Sequence, residues 1–262
     1  MRGSGSVLFM LVLALGMHIQ SGIAGNDEGR RQAAPNVPGG SAGDGLVAYY
    51  PFNGNAQDAS GNVYHGTVHG ATLTTDRFGI PNAAYAFNGS TNYIEVANSA
   101  ELNPTNAITY AGWFQSNTAN QFGTIVSKGN DQQVGYYVAR LHPAPTNMGF
   151  AFLFSEDQGT LTSVNASDVP IAVDQWYHFA VTYDGTTARS YINGVLRNTN
   201  VVTRTLGSNQ GPLSIGRHPL GGYTYHFNGK IDDIRLYNTA LTEDEVVELH
   251  TATPGSTQNI WV

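Results

Sequence analysis

The sequence predicts an all-β fold of the sandwich or barrel type, with one short helix near its C-terminal end. From residue 45 to about residue 237, short apolar runs alternate with turn residues, which is the pattern of strands joined by tight turns. The composition agrees, because 14 Tyr and 11 Phe favour strands and 31 Gly favour turns. Asn-Gly pairs, which tolerate the positive φ of two-residue hairpins, begin at Asn53, Asn88, Asn193 and Asn228.

Each candidate strand is an apolar or alternating run bounded by turn residues. The strongest hairpin signal lies at residues 191–196, where Asn193 and Gly194 separate two such runs. The predicted strands are residues 46–52, 84–87, 93–96, 108–114, 124–127, 136–141, 150–154, 176–183, 188–192, 212–215 and 230–237.

The predicted helix begins after Thr242, which forms the pattern of a capping box with Glu245. In that motif the Thr242 hydroxyl accepts from the Glu245 amide, while the Glu245 carboxylate accepts from the Thr242 amide. His250 lies in the last turn, where it complements the helix dipole. The apolar stripe consists of Val246, Val247 and Leu249. We expect this helix to pack on the sandwich and to cover a sheet edge or end.

Residues 1–24 have the pattern of a secretory signal peptide. Arg2 precedes an apolar run over residues 7–17, and small residues, Gly22 and Ala24, stand at the −3 and −1 positions of the predicted cleavage site. The run is shorter than the roughly 20 residues that span a bilayer. We therefore predict a secreted or periplasmic protein with no membrane span after cleavage.

The rest of the chain divides into a linker, one domain and a tail. Residues 25–44 are dense in Gly, Pro and Ala without a hydrophobic period, which predicts a disordered linker. The predicted domain covers residues 45–250, and residues 251–262 form a C-terminal tail.

Charge and cysteine content exclude several classes of function. The 262 residues include 19 Asp and Glu against 12 Lys and Arg, a formal net charge of −7, and no cysteine. Disulfide scaffolds, thiolate metal sites and cysteine nucleophiles are excluded. An acidic chain without a basic cluster also gains nothing from counterion release, so nucleic acid is not an expected partner.

Several short motifs follow one another in a fixed order. They are GLVAYYPFNG at residues 45–54, DASGN at 58–62, AFNG at 86–89, YIEV at 93–96, GWF at 112–114, IVSKG at 125–129, WYHFAVTYDG at 176–185, YING at 191–194 and FNGKIDDIRLY at 227–237. This order resembles the laminin-G-like domains of the concanavalin A-like lectin/glucanase superfamily. The resemblance implies a jelly-roll sandwich of two antiparallel sheets, each of six or seven strands, one concave and one convex.

No residue is nominated as catalytic, because the motifs of jelly-roll enzymes are missing. Retaining hydrolases need two carboxylates about 5–5.5 Å apart, and the strand spacing that supplies them does not occur. Glu156 and Asp157 would point to opposite sides of an extended chain in a predicted loop. The Gln-x-His motif of jelly-roll lyases is also missing, and we expect His178 to be a packed, hydrogen-bonded structural residue. A hydrolase or lyase with an unrecognised active site remains the alternative function.

The resemblance also implies a structural calcium site between an early loop and the last long strand. Residues 53–62 (NGNAQDASGN) offer the hard oxygen atoms that calcium prefers. The predicted ligands are Asp58, Asn62, Asp232 and Asp233. The two adjacent aspartates interrupt the alternation of the last strand, which predicts a β-bulge. The alternative is a turn in which Asp58 accepts amide hydrogen bonds and Asp232 caps a loop.

Residues 218–227 (HPLGGYTYHF) form the loop that most resembles a glycan-binding segment. Tyr and His offer a flat apolar face for a sugar ring and a polar tip for its hydroxyls. The candidate ligand contacts are Tyr223, Tyr225, His226, His218, Arg140 and His142, with Tyr136 and Tyr191 as further candidates. Aromatic residues at alternate strand positions are also common in cores, which is the alternative interpretation.

These observations predict an exported, non-enzymatic recognition module that binds glycans or an extracellular protein surface. The jelly-roll fold is compatible with lectins, adhesion modules and polysaccharide enzymes, so the fold alone does not select the function. The sequence gives no prediction of the oligomeric state.

The first testable prediction concerns processing. When the full chain is expressed in a host with a secretory pathway, we expect the exported protein to lack residues 1–24. Intact-mass analysis of the secreted fraction measures this directly. An exported protein that retains Met1 would contradict the predicted cleavage site.

Overall fold

The computed structural model describes residues 45–118, 121–129, 137–143, 148–155, 161–166, 168–203, 205–218 and 225–254. Within these residues the chain forms fifteen strands and one helix, and the strands make two antiparallel sheets that enclose a common core. No helix in this part of the chain is long and apolar enough to cross a membrane. The elements are β1 (Leu46–Tyr50), β2 (Gly66–His69), β3 (Thr72–Thr74), β4 (Ala84–Asn88), β5 (Tyr93–Val96), β6 (Ile108–Ser116), β7 (Gly123–Lys128), β8 (Tyr137–Pro143), β9 (Met148–Ser155), β10 (Leu161–Ala166), β11 (Trp176–Tyr183), β12 (Thr187–Ile192), β13 (Val195–Val201), β14 (Leu213–Ile215), β15 (Asn228–Tyr237) and α1 (Glu243–Thr251).

The first sheet, sheet A, has eight strands organised around β15. Its order is β13-β12-β11-β6-β15-β4-β3, and β1 also pairs with β15. β15 accommodates two neighbours on one edge, because residues 228–231 pair with β4 and residues 234–237 pair with β1. The first strand of the domain therefore lies against the last, and sheet A has one strand more than the resemblance implied.

The second sheet, sheet B, has seven strands in the order β10-β9-β8-β7-β14-β5-β2. Its two faces differ in polarity. Along β8, Ala139 and Leu141 lie in the core, so the alternating residues Arg140 and His142 lie on the outer face. Along β5, Ile94 is likewise a core residue, whereas Tyr93 and Glu95 are half-buried on the outer side.

Aromatic rings fill the space between the sheets. Phe114 of β6 lies 5.7 Å from Tyr177 and 6.2 Å from Phe179, measured between ring centroids. Phe227 meets Phe114 edge-on at 6.4 Å. Burying each such side chain contributes about 1.5–3 kcal/mol. In a chain without disulfides, this packing is the main source of stability.

Side-chain amides connect the edges of the two sheets. The Asn198 amide of β13 donates to the Asn165 carbonyl of β10 at 2.8 Å, and the Asn200 amide donates to the Ser163 carbonyl at 3.1 Å. Both strands end their sheets, so their outward backbone groups would otherwise be open to pairing with another chain. The asparagines therefore occupy part of this edge.

The helix α1 begins with the predicted capping box. The Glu245 amide donates to the Thr242 hydroxyl at 3.3 Å, and the Thr242 amide donates to the Glu245 carboxylate at 2.6 Å. Val246 and Leu249 are buried in a cluster with residues of β1, β6, β11, β12 and β15. α1 therefore packs on the sandwich, as predicted, but it covers the outer face of sheet A instead of a sheet edge or end.

Two histidines and a tryptophan lie under the end of α1. His250 stacks on Trp113 of β6 with ring centroids 5.6 Å apart, and His178 of β11 lies 5.3 Å from Trp113 and 5.7 Å from His250. His178 is only 1% exposed. It is packed as predicted, but its ring nitrogens make none of the expected hydrogen bonds to the described residues. Burial, together with the nearby His250, Arg235 and Arg77, lowers the pKa of His178 well below its ordinary value.

The elements agree with the sequence where local chemistry determines them. The predicted hairpin turn is confirmed, with φ of 53° at Asn193 and 74° at Gly194. β2, β3, β10 and β13 were not among the predicted strands. β13 is exposed along its length and β2 is at most half-buried, so neither has the hydrophobic alternation of a strand on a core. Residues 1–44 and 255–262 lie outside the described residues, so the signal peptide, linker and tail stay predictions.

The second testable prediction concerns pH. We expect the melting temperature to fall as pH is lowered from about 7.5 to 5, more steeply for the wild type than for His178→Leu. Unfolded His178 titrates near pH 6.5, whereas the fold keeps the ring neutral. Below that pH the unfolded chain therefore binds the extra proton, and stability is lost. Circular dichroism melts at several pH values measure the difference, and parallel curves would show that other groups cause the acid sensitivity.

Candidate functional site

The predicted calcium ligands lie in two places that share one tyrosine. The Tyr49 amide of β1 donates to Asp58 Oδ1 at 2.9 Å, and the Tyr49 hydroxyl donates to Asp233 Oδ1 at 2.6 Å. The early loop and β15 therefore meet the same residue. Protein hydrogen bonds make the connection that the sequence assigned to a metal ion.

Asp58 organises its own loop through both carboxylate oxygens. Oδ1 also accepts from the Ser60 amide at 2.9 Å, and Oδ2 accepts from the Tyr64 amide at 3.0 Å and the Ser60 hydroxyl at 2.9 Å. Asn62 points its amide nitrogen at the Val47 carbonyl, 3.1 Å away. This is the arrangement of the alternative interpretation, in which Asp58 accepts amide hydrogen bonds.

Asp232 and Asp233 lie at a bulge of β15. The register with β6 shifts between Asp232 and Arg235, and Asp233 has φ of 53°, so the predicted bulge is confirmed. Arg77 Nη1 lies 2.8 Å from Asp232 Oδ2 and 2.8 Å from Asp233 Oδ2. Arg235 Nη2 lies 3.6 Å from Asp233 Oδ1. The guanidinium groups compensate the two adjacent carboxylates.

The two carboxylates titrate differently because their charged neighbours differ. Burial raises the pKa of Asp232, and the charge of Asp233 raises it further. Burial also acts to raise the pKa of Asp233, but Arg235 and Arg77 outweigh burial and lower that pKa. The negative charge of the pair is therefore concentrated on Asp233. Burial raises the pKa of Tyr49 well above its ordinary value, which keeps its hydroxyl a donor.

These contacts do not fit a calcium ion. Calcium takes six to eight oxygen ligands, whereas the Asp58 oxygens already accept hydrogen bonds and Asp232 and Asp233 face the cation of Arg77. In the part of the chain that the structure describes, no three His, Cys, Asp or Glu side chains are grouped to hold a metal. The calcium site stays a prediction without a geometry that favours it.

The outer face of sheet B carries the candidate ligand residues, close to the start of β7. The guanidinium carbon of Arg140 lies 5.0 Å from the ring centroid of Phe122 and 5.6 Å from that of Tyr225. The two rings lie 4.5 Å apart with 30° between their planes. We name Phe122, Arg140 and Tyr225 the aromatic platform. Guanidinium groups stack well on aromatic faces, which fixes the cation without a charged partner.

The backbone brings Tyr225 and His226 to this place. β14 ends at Ile215, and the returning chain lies beside the start of β7, where the Thr124 amide donates to the Tyr225 carbonyl at 3.0 Å. Thr124 forms a parallel bridge with His226 on this side and pairs with Arg140 of β8 on the other. His226, Thr124 and Arg140, which are far apart in the sequence, are therefore neighbours across the sheet.

Two histidines adjoin the aromatic platform. The ring of His218 lies 5.4 Å from that of Tyr225, nearly perpendicular to it, and is 5% exposed, so it supports Tyr225 from behind. His226 is half-buried, and its Nδ1 has no hydrogen-bond partner among the described residues. Burial and the charge of Arg217 lower the pKa of His226, so its ring is neutral at pH 7.

A second aromatic group lies farther across the outer face. The guanidinium carbon of Arg217 lies 3.9 Å from the Tyr93 ring centroid, and Tyr93 stacks on His69 with centroids 4.3 Å apart. Arg217 also donates to Glu95 at 2.7 Å. Sheet B has the order β8-β7-β14-β5-β2, so this group lies on the same sheet, farther from β8 and towards β2.

The structure brings together part of the predicted ligand set. Arg140, Tyr225 and His218 are in contact, His226 adjoins them, and His142 lies on the same face of β8. Tyr223 and Tyr136 lie outside the described residues. Tyr191 as a ligand contact is wrong, because it is 2% exposed beneath α1. The sequence-based set of ligand contacts did not include Phe122, Tyr93 or Arg217, which the structure places in the two aromatic groups.

A separate cleft of about 430 Å³ lies away from both groups. Asp184 is its charged residue, and its carboxylate already accepts from the amides of Thr186 and Thr187 and from Arg189. Burial acts to raise the pKa of Asp184, but these hydrogen bonds outweigh burial and lower it. The lining residues are Thr105, Asn106, Asp184, Gly185, Thr203 and Thr205, which include no ring for a sugar to stack on.

The third testable prediction follows from the compensated carboxylates. We expect the same melting temperature in EDTA and in millimolar calcium, because Arg77 already balances Asp232 and Asp233. Arg77→Gln should lower the melting temperature equally in both buffers, because removing one partner leaves buried charge uncompensated. Differential scanning calorimetry measures both effects. A rise with calcium that Asp232→Ala abolishes would restore the predicted metal site.

Several solved structures have the same fold at low sequence identity. Domain 4 of AbnA, a GH43 extracellular arabinanase from Geobacillus stearothermophilus solved with arabinotriose, is 21% identical with a TM-score of 0.62, covering 79% of this chain and 98% of that domain. The binding domain of Paraclostridial Mosquitocidal Protein 1 is 18% identical with a TM-score of 0.63, covering 79% and 52%. Botulinum neurotoxin type C, whose cell entry depends on interaction with two ganglioside molecules, is 14% identical with a TM-score of 0.62. The match covers 79% of this chain and 51% of the toxin chain. The chain thus spans about half of the matched toxin chains.

A family model identifies the larger group. The model is of the laminin-G type, is described as the concanavalin A-like lectin/glucanases superfamily, and matches residues 88–247. The matched segment includes most strands of both sheets and the start of α1. The chain belongs to the concanavalin A-like lectin/glucanase superfamily, as the order of its motifs indicated.

Proposed function

We propose that the chain is an exported, non-enzymatic recognition module that binds glycans on the outer face of sheet B. The observation that carries this proposal is the aromatic platform, in which two rings support a guanidinium group on an outer surface. Phe122 is 36% exposed, so one ring remains accessible. Exposed aromatic side chains beside polar groups are typical of binding surfaces.

The platform and its neighbours offer the two kinds of contact that a sugar ring needs. The apolar C–H face of a sugar packs on the Phe122 and Tyr225 rings, as apolar groups pack on aromatic faces. The Arg140 guanidinium donates to ring or hydroxyl oxygens. A neutral His226 offers one donor and one acceptor, which suits hydroxyl groups that do both.

The candidate surface extends over several strands, because β5 is three strands away from β8 in sheet B and neighbouring strands lie about 4.8 Å apart. Tyr93, His69 and Arg217 continue the aromatic and polar pattern across β5 and β2. An oligosaccharide would therefore contact the aromatic platform at one end and the Tyr93 group at the other.

The structural neighbours support glycans as the ligand class. One of them is a domain in complex with arabinotriose, and another belongs to a toxin that interacts with gangliosides. The extracellular origin of the first neighbour also agrees with export, which the signal-peptide pattern of residues 1–24 predicts.

A hydrolase or lyase is the second candidate function, and one observation favours it. Asp232 and Asp233 have pKa values shifted in opposite directions, which is the pattern of an acid and base pair. Asp232 is only 2% exposed, however, and Arg77 bonds to both carboxylates. Both carboxylates are therefore largely buried and already paired with a guanidinium group, so we prefer the binding role.

The fourth testable prediction compares ring deletions. A glycan array should identify oligosaccharide ligands of the wild type, and titration calorimetry should then give their affinities. Phe122→Ala and Tyr225→Ala should each weaken binding about tenfold, because a stacked ring contributes about 0.5–1.5 kcal/mol beyond its buried area. Phe78→Ala is the matched control, because Phe78 is an exposed ring under a different guanidinium, that of Arg77.

The outcomes separate the candidate functions. Equal losses in all three variants would contradict binding at the aromatic platform. If the wild type binds an extracellular protein and no glycan, the ligand class would be a protein surface instead of a glycan. Cleavage of an oligosaccharide by the wild type would favour the enzyme.

A further inference from the structure

We propose that the aromatic platform selects sugars that carry a carboxylate, with Arg140 as the residue that binds the acid group. This inference rests on the proposed function and names the ligand class of the same site. The juxtaposition that carries it is a guanidinium group that lies against a pair of stacked rings on an outer surface and has no carboxylate partner among the described residues.

Arg140 differs from the other described arginines in its partners. Each of the others lies within 4 Å of a carboxylate: Arg77 of Asp232 and Asp233, Arg189 of Asp184, Arg197 of Asp168, Arg217 of Glu95 and Arg235 of Asp233. The Arg140 guanidinium has no such carboxylate among the described residues and lies instead against the Phe122 and Tyr225 rings. The chain has an excess of acidic side chains, with a net charge of −7, and yet none of those described pairs with Arg140.

The position of Arg140 makes this lack of a partner costly. Its Nε is buried and has no hydrogen-bond partner within the described part of the chain. A buried donor without an acceptor loses its water without compensation. A surface ligand does not reach this Nε, but the Nη groups are not among the buried unpaired atoms. A ligand that supplies acceptors to the Nη groups gives the guanidinium the partner that it lacks among the described residues.

A carboxylate is the acceptor that fits best. The guanidinium fork presents parallel N–H groups that match the two oxygens of a carboxylate, and such charge-assisted pairs are shorter and stronger than neutral ones. The rings hold Arg140 in one place, so little side-chain freedom is lost on binding. A sugar acid offers the carboxylate together with the C–H face that packs on Phe122.

The other charged groups on this surface are compensated, so the preference for a carboxylate depends on Arg140. Arg217 is already paired with Glu95, and burial and Arg217 lower the pKa of His226, which is neutral at pH 7. Arg140 is therefore the uncompensated positive charge of the described residues in this group. The negative chain as a whole repels anions, and at physiological salt that repulsion is screened beyond about 8 Å.

The experiment uses pairs of ligands that differ only in whether the carboxylate is free or esterified. Titration calorimetry of the full exported chain would compare oligogalacturonate with its methyl ester, and sialyllactose with its methyl ester. We expect the wild type to bind at least one acid about 10- to 100-fold more tightly than its neutral counterpart, which is the range for a charge-assisted hydrogen bond. The uronate and sialate pairs distinguish the two sources of the carboxylate.

Variants then test the residue. Arg140→Gln should bring the acid and its neutral counterpart to similar affinity, and Arg140→Lys, which keeps the charge but not the fork, should restore part of the preference. Arg197→Gln is the matched control, because it removes the same charge from β13 of sheet A and should leave the preference unchanged. Circular dichroism melts confirm that each variant is folded.

Each outcome has one meaning. Equal binding of acid and neutral sugars by the wild type, weakened by Phe122→Ala, would overturn the carboxylate preference and leave the proposed function intact. No binding of any sugar would overturn both. Equal effects of Arg140→Gln and Arg197→Gln would reduce the preference to overall charge, and competition by poly-glutamate as strong as that by the sugar acid would assign the site to acidic peptides.

Discussion

The ion cluster of Arg77, Asp232 and Asp233 is the interaction on which sheet A depends. β15 pairs with β6 on one edge and with β4 and β1 on the other, so this strand fixes the position of three neighbours. At its middle it carries two adjacent carboxylates in a nearly dry environment. Without Arg77 this arrangement would leave buried charge unpaired, at a cost of about 3–5 kcal/mol.

The cluster also explains how the helix end is placed. The guanidinium carbon of Arg77 lies 4.4 Å from the Trp113 ring centroid, and His250 of α1 stacks on the same ring at 5.6 Å. Trp113 therefore connects the ion cluster, through Arg77, to the end of α1, through His250. This assembly lies on the outer side of sheet A, away from the aromatic platform on the outer face of sheet B.

Sequence reasoning succeeded where a few neighbouring residues determine the structure. The Asn193-Gly194 turn, the capping box at Thr242 and the bulge at Asp232 each follow from local chemistry, and all three are confirmed. The candidate site depends on distant residues instead. Phe122 precedes β7 and Tyr225 follows β14, and no periodicity within either segment indicates that the two rings touch. Phe122 lies beside β8 because Gly123 pairs with Leu141, a register between two strands that neither segment indicates by itself.

The calcium prediction also depended on a contact between residues that are distant in the sequence. The sequence correctly indicated that adjacent aspartates at a bulge need compensation, but the compensating group is Arg77, from a loop between β3 and β4. A cation can be a metal ion or a side chain, and the residues that attract it look alike in a sequence. Only the fold decides which of the two lies within reach.

Among the described residues, a guanidinium group lies on an aromatic ring at four places, and the aromatic platform is one of them. Arg77 on Trp113, Arg235 on Tyr49 and Arg217 on Tyr93 each use the ring to position the cation and then bond a carboxylate of the chain. Arg140 on Phe122 and Tyr225 has the ring contacts but no carboxylate among the described residues. In a chain with only 12% charged residues, three such units are closed by internal partners, and the fourth is the unit that a ligand can complete.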